Sequence, residues 1–354
     1  MRDARATLST QALKHNLNRV RSYAPDSRVL AMIKANAYGH GLDVALAALA
    51  DADALGVATF QEALDIRATG NAQSIVLIEG VFSLEEWQQL PQMNAQCVIH
   101  QVQQVEWALK SPQPAIPIWL KINSGMNRLG LALDQVERIA HDLRAAGYRL
   151  ILTSHFANAD EPEHPLNATQ INCFVHMKQR LDPIEASFAN SAALIQWPEV
   201  HFNWVRPGLM LYGSSPFAQI PAQELGLQPV MTLSTQLIAL HDLPVGVAVG
   251  YGSRHTTTRP TRLGVIGMGY GDGYPRVVTD SRVLVNGHVV PVIGRVSMDM
   301  MTVDLTDLPD APALGDPVTL WGQGLDVDQI ARAAGTLSYE LFTRLSPRPR
   351  RVII

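Results

Sequence analysis

Between residues 29 and 212 the chain alternates short apolar runs with stretches of helical spacing, and this alternation restricts the fold more than any other feature. The runs are VLAMIK (29–34), ALGVAT (54–59), SIVLIEG (74–80), CVIH (97–100), PIWLKI (117–122), LILTSHF (150–156), EASFAN (185–190) and a last one near WVRPGLMLYG (204–213). Runs that are apolar throughout suit strands covered on both faces, as in parallel sheets, and each parallel neighbour requires a crossover, usually a helix. The segment DQVERIAHDLRAAG reads as one such helix, with Asp134 as its cap and Gly147 as its stop. Eight units in roughly 200 residues is the count of a (β/α)8 barrel, with a doubly wound open sheet as the competing arrangement. After GLQPVMTL the texture changes to Val, Thr, Gly and Pro, with a hairpin signal at Asn286-Gly287 and helical periodicity only in VDQIARAAG. The expectation is an α/β chain: an N-terminal (β/α)8 TIM-type barrel over residues 1–230, then a mainly β-strand domain over 231–354.

A barrel carries its chemistry at the C-terminal ends of its strands. The first run ends in Lys34 with Tyr38 shortly after; the fifth supplies Lys121 and leads to Arg128; the sixth ends at His155, the seventh at Asn190 and Ser191, and the eighth brings Arg206 and Gly208. Taken singly, each has a plainer reading: a lysine reaching solvent, a satisfied histidine, a surface arginine, a serine capping a helix. Their convergence on one face favours a site. A lysine held in an apolar enclosure loses its preference for the ammonium form, and its free amine can condense with a carbonyl. A phosphate site near strands seven and eight would suit Ser191, the amides around Gly208 and a tyrosine hydroxyl such as that of Tyr38. Imine-forming lysine and phosphate site together indicate pyridoxal 5'-phosphate.

The rest of the composition narrows the partners. Formal net charge is -4 and the basic residues are scattered, which argues against a nucleic-acid or membrane surface and for a small-molecule substrate. Cys97 and Cys173 lie far apart without ligand spacing, so neither a disulfide framework nor a metal centre is expected. The start, MRDARATLSTQALKHNL, begins with charges and turns into an amphipathic helix rather than a secretory apolar segment, which places the chain in the cytoplasm by default.

The motif MIKANAYGHG (32–41) resembles the cofactor-attachment signature of the alanine racemases. The likeness continues in order through LKINSGMNRLG, SHFANADE, ANSAA, WVRPGLMLYG, VGYGS, GYGDGYPR, GRVSMDM and SYEL. The resemblance implies pyridoxal 5'-phosphate as cofactor, interconversion of L- and D-alanine, and a homodimer with shared active sites. Under it, Lys34 is similar to the lysine that holds the cofactor and moves the Cα proton on one face, and Tyr251 to the base for the other face, supplied by the partner subunit. Arg206 resembles the arginine facing the pyridine nitrogen, His155 its hydrogen-bonded neighbour, and Arg128 the residue beside the phenolic oxygen and the substrate carboxylate. Tyr38, Ser191, Gly208, Leu209 and Tyr339 look like phosphate ligands, with Asn190 beside them in the cofactor set, and Met298 of the partner subunit looks like a substrate contact. Lys121 resembles a lysine that is often carbamylated. Tyr270, Tyr339, Arg276, Arg295 and Asp160 look like the family's access corridor.

One departure stands out: Asn123 occupies a position where many relatives have aspartate, which puts the charge balance around Arg128 in question. The competing functions are a racemase of broader side-chain range, a non-catalytic pyridoxal phosphate carrier, and a basic amino-acid decarboxylase. A carrier would end after the barrel, and a decarboxylase would set an acid where Arg206 stands. The sequence leaves open whether D-alanine is made for cell-wall precursors or degraded.

Overall fold

The computed structural model describes residues 3–354; Met1 and Arg2, with which the expected barrel domain begins, lie outside the described residues. Eight parallel strands close into a barrel: Arg28–Met32, Ala54–Val57, Ile75–Leu77, Ala95–Ile99, Ile118–Lys121, Leu150–Thr153, Glu185–Ser187 and Trp204–Val205. Closure is made by the first and last, with Arg28 opposite Trp204 and Val29 opposite Val205. Leu30, Ala54, Leu55, Val57, Ile75, Val76, Leu77, Ile118 and Trp119 are wholly buried, which is why these strands lack the in-out alternation of a half-exposed sheet. The open-sheet alternative is thereby excluded.

Every expected barrel strand is present, each shorter than its apolar run except the fourth, where Ala95–Ile99 begins two residues before CVIH and ends one before its last residue. The eighth is only Trp204–Val205; Arg206 N–H still donates to Ala189 O at 2.9 Å, Pro207 beyond it has no N–H to offer, and Leu209–Tyr212 turns into a short 3-10 helix. The helix read in DQVERIAHDLRAAG spans Leu133–Ala145; its cap is Ala132 rather than Asp134, which lies in the first turn, while Gly147 just beyond the end takes the expected left-handed φ of 91°.

The C-terminal region is built on an eight-stranded sheet centred on the long strand Met231–Leu243. The first half of that strand alternates buried and half-buried positions, and a bulge between Leu237 and Ala239 bends it so that it also pairs with Thr261–Ile266. The expected hairpin is there: Arg282–Val285 pairs with His288–Ile293 across Asn286 and Gly287, both at positive φ. Two features were absent from the sequence reading. Strand Arg5–Leu8 joins this sheet between Met231–Leu243 and Arg350–Ile353, and a second helix, Ser338–Arg344, follows Val327–Ala333. This second helix sits over the barrel mouth and brings Tyr339 to it.

Candidate active site

Past the first barrel strand the chain does not enter an ordinary helix. Ala35, Asn36, Ala37 and Tyr38 have φ of 53–54°, making one left-handed turn that opens at Lys34. This conformation costs an L-residue roughly 1–2 kcal/mol, so its neighbours must hold it in place. The Ala35 amide donates to a carboxylate oxygen of Glu62 at 2.6 Å, and Gly39 N–H donates to Ala35 O at 2.9 Å. His40 Nδ1 faces the carbonyls of Ala37 and Tyr38 at 3.1 and 3.0 Å, which makes it the protonated ring nitrogen. Tyr38 stacks on Tyr212 with centroids 4.8 Å apart, and Tyr212 donates its hydroxyl to Met32 O at 2.8 Å. At Gly39 a side chain would meet the Phe342 carbonyl at 2.1 Å, so glycine alone lets the C-terminal helix seat against the turn.

Across the barrel mouth, Asn190 caps the helix Ser191–Gln196 by accepting from Ala193 N–H at 3.0 Å, so the capping role weighed for Ser191 belongs to its neighbour. Ser191 Oγ instead accepts from Gly208 N–H at 2.9 Å. A Cβ at Gly208 would lie 2.5 Å from the Tyr38 hydroxyl. The bare backbone at Gly208 and the hydroxyls of Tyr38 and Ser191 therefore meet in a small cradle, and Tyr339 stands beside it with its ring centroid 5.7 Å from that of Tyr38. Hydroxyls gathered around a stretch of backbone that no side chain covers fit a phosphate.

Deeper in, Arg206 is held by five acceptors. Its guanidinium donates to Thr153 Oγ1 at 3.1 Å, Ser187 Oγ at 2.6 Å, Ser154 O at 2.6 Å, Phe188 O at 3.2 Å and His155 Nδ1 at 3.2 Å. Burial lowers its pKa to about 10, which leaves it charged at neutral pH. His155 accepts through Nδ1, so its proton sits on Nε2; burial first, then the charge of Arg206, drives its pKa far below the ordinary histidine value and keeps it neutral. Lys121 is brought down to about 8 by burial and by the charges of Arg206 and Arg128. Asn123 does not reach for Arg128: its Oδ1 accepts from the amides of Gly125 and Asn127, each at 3.1 Å, shaping the loop that carries the arginine.

A cavity of about 480 Å³ joins these groups. Of the expected site residues it is lined by Lys34, Tyr38, Lys121, Arg128, His155, Asn190, Ser191, Arg206, Gly208 and Tyr339. Four basic side chains (Lys34, Lys121, Arg128, Arg206) face one carboxylate, Glu79, a balance suited to an anionic ligand. Leu209 and Asp160 line a neighbouring cavity of about 440 Å³ that shares Tyr339. The remaining expected residues are not in this wall. Tyr251, in a short turn of the C-terminal region, is 73% exposed, and Met298 is 53% exposed. Tyr270 packs backbone to backbone on the Met298 loop, its N–H donating to Ser297 O at 3.0 Å, while Arg276 and Arg295 are exposed.

Several site residues escaped the sequence reading. Glu79 is the penultimate residue of the run SIVLIEG, where the same strand-end question would have found it. Thr153 and Ser187 look like small core positions, and only the bonds from Arg206 reveal them. Glu62 looks like an ordinary helix-capping glutamate.

The family model described as "Alanine racemase, N-terminal domain" matches residues 8–216, and "Alanine racemase, C-terminal domain" matches 230–353. An alanine racemase of Psychrobacter sp. is 49% identical, with all of both chains covered. The solved alanine racemase of Acinetobacter baumannii is 46% identical over the whole of both chains, with a TM-score of 0.98. That of Bartonella henselae, solved with covalently bound pyridoxal phosphate, is 29% identical over 99% of each chain, with a TM-score of 0.90.

Proposed function

The chain belongs to the alanine racemase family, isomerases that work with pyridoxal 5'-phosphate, and on that premise we propose that it interconverts L- and D-alanine by two opposed bases, Lys34 and Tyr251 of the partner subunit. When bound, the cofactor supplies the electron sink that makes a Cα proton removable. Lys34 holds its aldehyde; Tyr38, Ser191, Tyr339 and the backbone at Gly208 and Leu209 hold its phosphate, with Asn190 alongside. The observation that carries the reading is the position of Lys34: it opens a strained turn whose far end, Tyr38, meets Ser191 and Gly208 in one cradle.

Lys34 takes or returns the proton on one face of the substrate, and Tyr251 does so on the other. Each is the acid when its opposite is the base, which gives inversion. Arg206, charged and locked by five acceptors, would be the residue presented to the cofactor's ring nitrogen, and unlike a carboxylate it could not share a proton with that nitrogen, which would favour return of the Cα proton over side reactions. Arg128 and Met298 of the partner subunit hold the substrate carboxylate. Lys121, with its pKa near 8, has free amine enough at neutral pH to take up carbon dioxide as a carbamate, which would orient Arg128. Tyr270, Tyr339, Arg276, Arg295 and Asp160 form the access corridor.

The exposure of Tyr251 and Met298 on a chain whose Lys34 cavity neither residue lines supports a homodimer with sites made by both subunits. The division into a cofactor-binding barrel domain, 1–230, and a C-terminal domain, 231–354, that completes the partner's site is part of the same reading, with strand Arg5–Leu8 assigned to the C-terminal sheet into which it pairs; so is a cytoplasmic role in supplying D-alanine for peptidoglycan precursors. Among the described residues no helix is long and apolar enough to cross a membrane.

The test is to follow optical rotation of L- and D-alanine, with other L-amino acids alongside to define range. Lys34→Ala is expected to lose both directions. Tyr251→Phe is expected to slow racemisation at least about a hundredfold while still exchanging the Cα proton of one enantiomer with solvent deuterium. Full activity in either variant would remove that residue from the mechanism.

A further inference from the structure

Glu62 is the third residue of the helix Phe60–Ala68 and divides its two carboxylate oxygens between two tasks. One oxygen closes an ordinary capping box: it accepts from Ala58 N–H at 2.7 Å and Thr59 N–H at 3.3 Å, while Thr59 Oγ1 accepts from Glu62 N–H at 3.2 Å. The other leaves the helix altogether and accepts from Ala35 N–H at 2.6 Å. Capping does not require that second bond, since the other oxygen already closes the capping box with Thr59.

The Ala35 N–H lies in the same rigid peptide plane as the Lys34 carbonyl. Fixing the direction of that N–H fixes the rotation of the plane about the Lys34 Cα, and with it the direction in which the lysine side chain leaves the backbone. It also commits the chain to the left-handed turn that begins at Ala35, where φ is 53°. A charged acceptor makes the stronger kind of hydrogen bond, suited to holding a strained backbone. Three backbone donors from two segments thus converge on one side chain, tying the head of the second barrel helix to the residue after Lys34.

We infer that Glu62 is a positioning residue for Lys34, acting through the Ala35 amide; the inference rests on Lys34 being the attachment lysine. Two substitutions isolate the bridge. Glu62→Gln leaves one acceptor oxygen for two tasks and turns an NH2 toward backbone donors; Glu62→Asp is a methylene too short to span both. Thr59→Ala is the control, because it weakens the helix cap without touching the Ala35 bond.

Three measurements on the full-length protein decide the matter: hydrogen exchange of the peptide containing Ala35, borohydride trapping of added pyridoxal 5'-phosphate at Lys34 read by peptide mass, and steady-state kinetics with alanine. In Glu62→Gln and Glu62→Asp, exchange at Ala35 is expected to rise about tenfold or more, trapping at a fixed cofactor concentration to fall several-fold, and kcat to fall about 10- to 100-fold with KM little changed. Thr59→Ala is expected to lower Tm and leave all three readouts near wild type. Wild-type exchange and trapping in the Glu62 variants would overturn the inference, as would the same losses in Thr59→Ala. Absence of any adduct at Lys34 in the wild-type protein would instead refute the attachment itself, while exchange at Ala35 would still report on the Glu62 bridge.

Discussion

His40 is buried between the stacked ring of Tyr212, 4.6 Å away, and the edge of Phe342, 4.7 Å away. Burial lowers its pKa to about 4, against the opposing pull of its bonds to the Tyr38 and Ala37 carbonyls. The folded protein therefore releases this proton more readily than the unfolded chain, whose value is about 6.5. Stability from the neutral ring is fully present above about pH 6.5 and is lost as pH falls toward 4, at up to about 1.4 kcal/mol per pH unit. His40→Asn is expected to be less stable than wild type at pH 7, and that deficit is expected to narrow by about 2 kcal/mol by pH 5 in urea unfolding. A deficit equal at both pH values would show that His40 does not titrate on unfolding. Lys34 could be found from sequence because a charge directly after an apolar run needs an explanation. His40 and Glu62 could not, because a glutamate at the third position of a helix and a histidine beside glycines each have an ordinary local role, and their bonds to the lysine turn depend on segments brought together only by the fold.

Ala132 heads the thirteen-residue helix Leu133–Ala145 in extended conformation, exposed, and without a side-chain bond to the first turn. Gln135 N–H bonds only back to Ala132 O, at 3.1 Å, and no side chain caps the turn, so Ala132→Ser is expected to stabilise the protein by about 0.5–1 kcal/mol, seen as a raised Tm with kcat unchanged. The same helix illustrates how element boundaries are read. Asp134 is the nearest residue with capping chemistry, but the cap falls two residues earlier, at Ala132, and the aspartate lies in the first turn, where its charge suits the helix dipole. The barrel strands were legible because burial on both faces leaves nothing but apolar side chains. The helix Ser338–Arg344 was hidden because its seven residues are too few to display a period, and strand Arg5–Leu8 because its partners lie more than two hundred residues away. The left-handed turn left no signal at all, since Ala, Asn, Ala and Tyr at those positions are not residues that favour it, apart from Asn.

On the scale of the whole molecule, the barrel holds one half of the proposed chemistry and the C-terminal region displays the other half outward. Hybrid dimers make this testable. A dimer pairing a Lys34→Ala chain with a Tyr251→Phe chain contains one site with both defects and one with neither. Randomly mixed 1:1 after dissociation, the two inactive variants are expected to regain about a quarter of wild-type activity. No recovery would place both residues in the site of a single chain. Motifs could be read in order along the whole chain, but which face of the second region would meet the proposed partner is a matter of surface and not of pattern. The strand Arg5–Leu8 lies antiparallel to Met231–Leu243 on one side and parallel to Arg350–Ile353 on the other, with Arg5 opposite Arg350. That rung closes a loop of roughly 340 residues, so its entropic cost falls due only when the intervening chain has already collapsed. Refolding is therefore expected to complete this seam late, seen as hydrogen-exchange protection returning more slowly at Arg5–Leu8 than along the barrel strands.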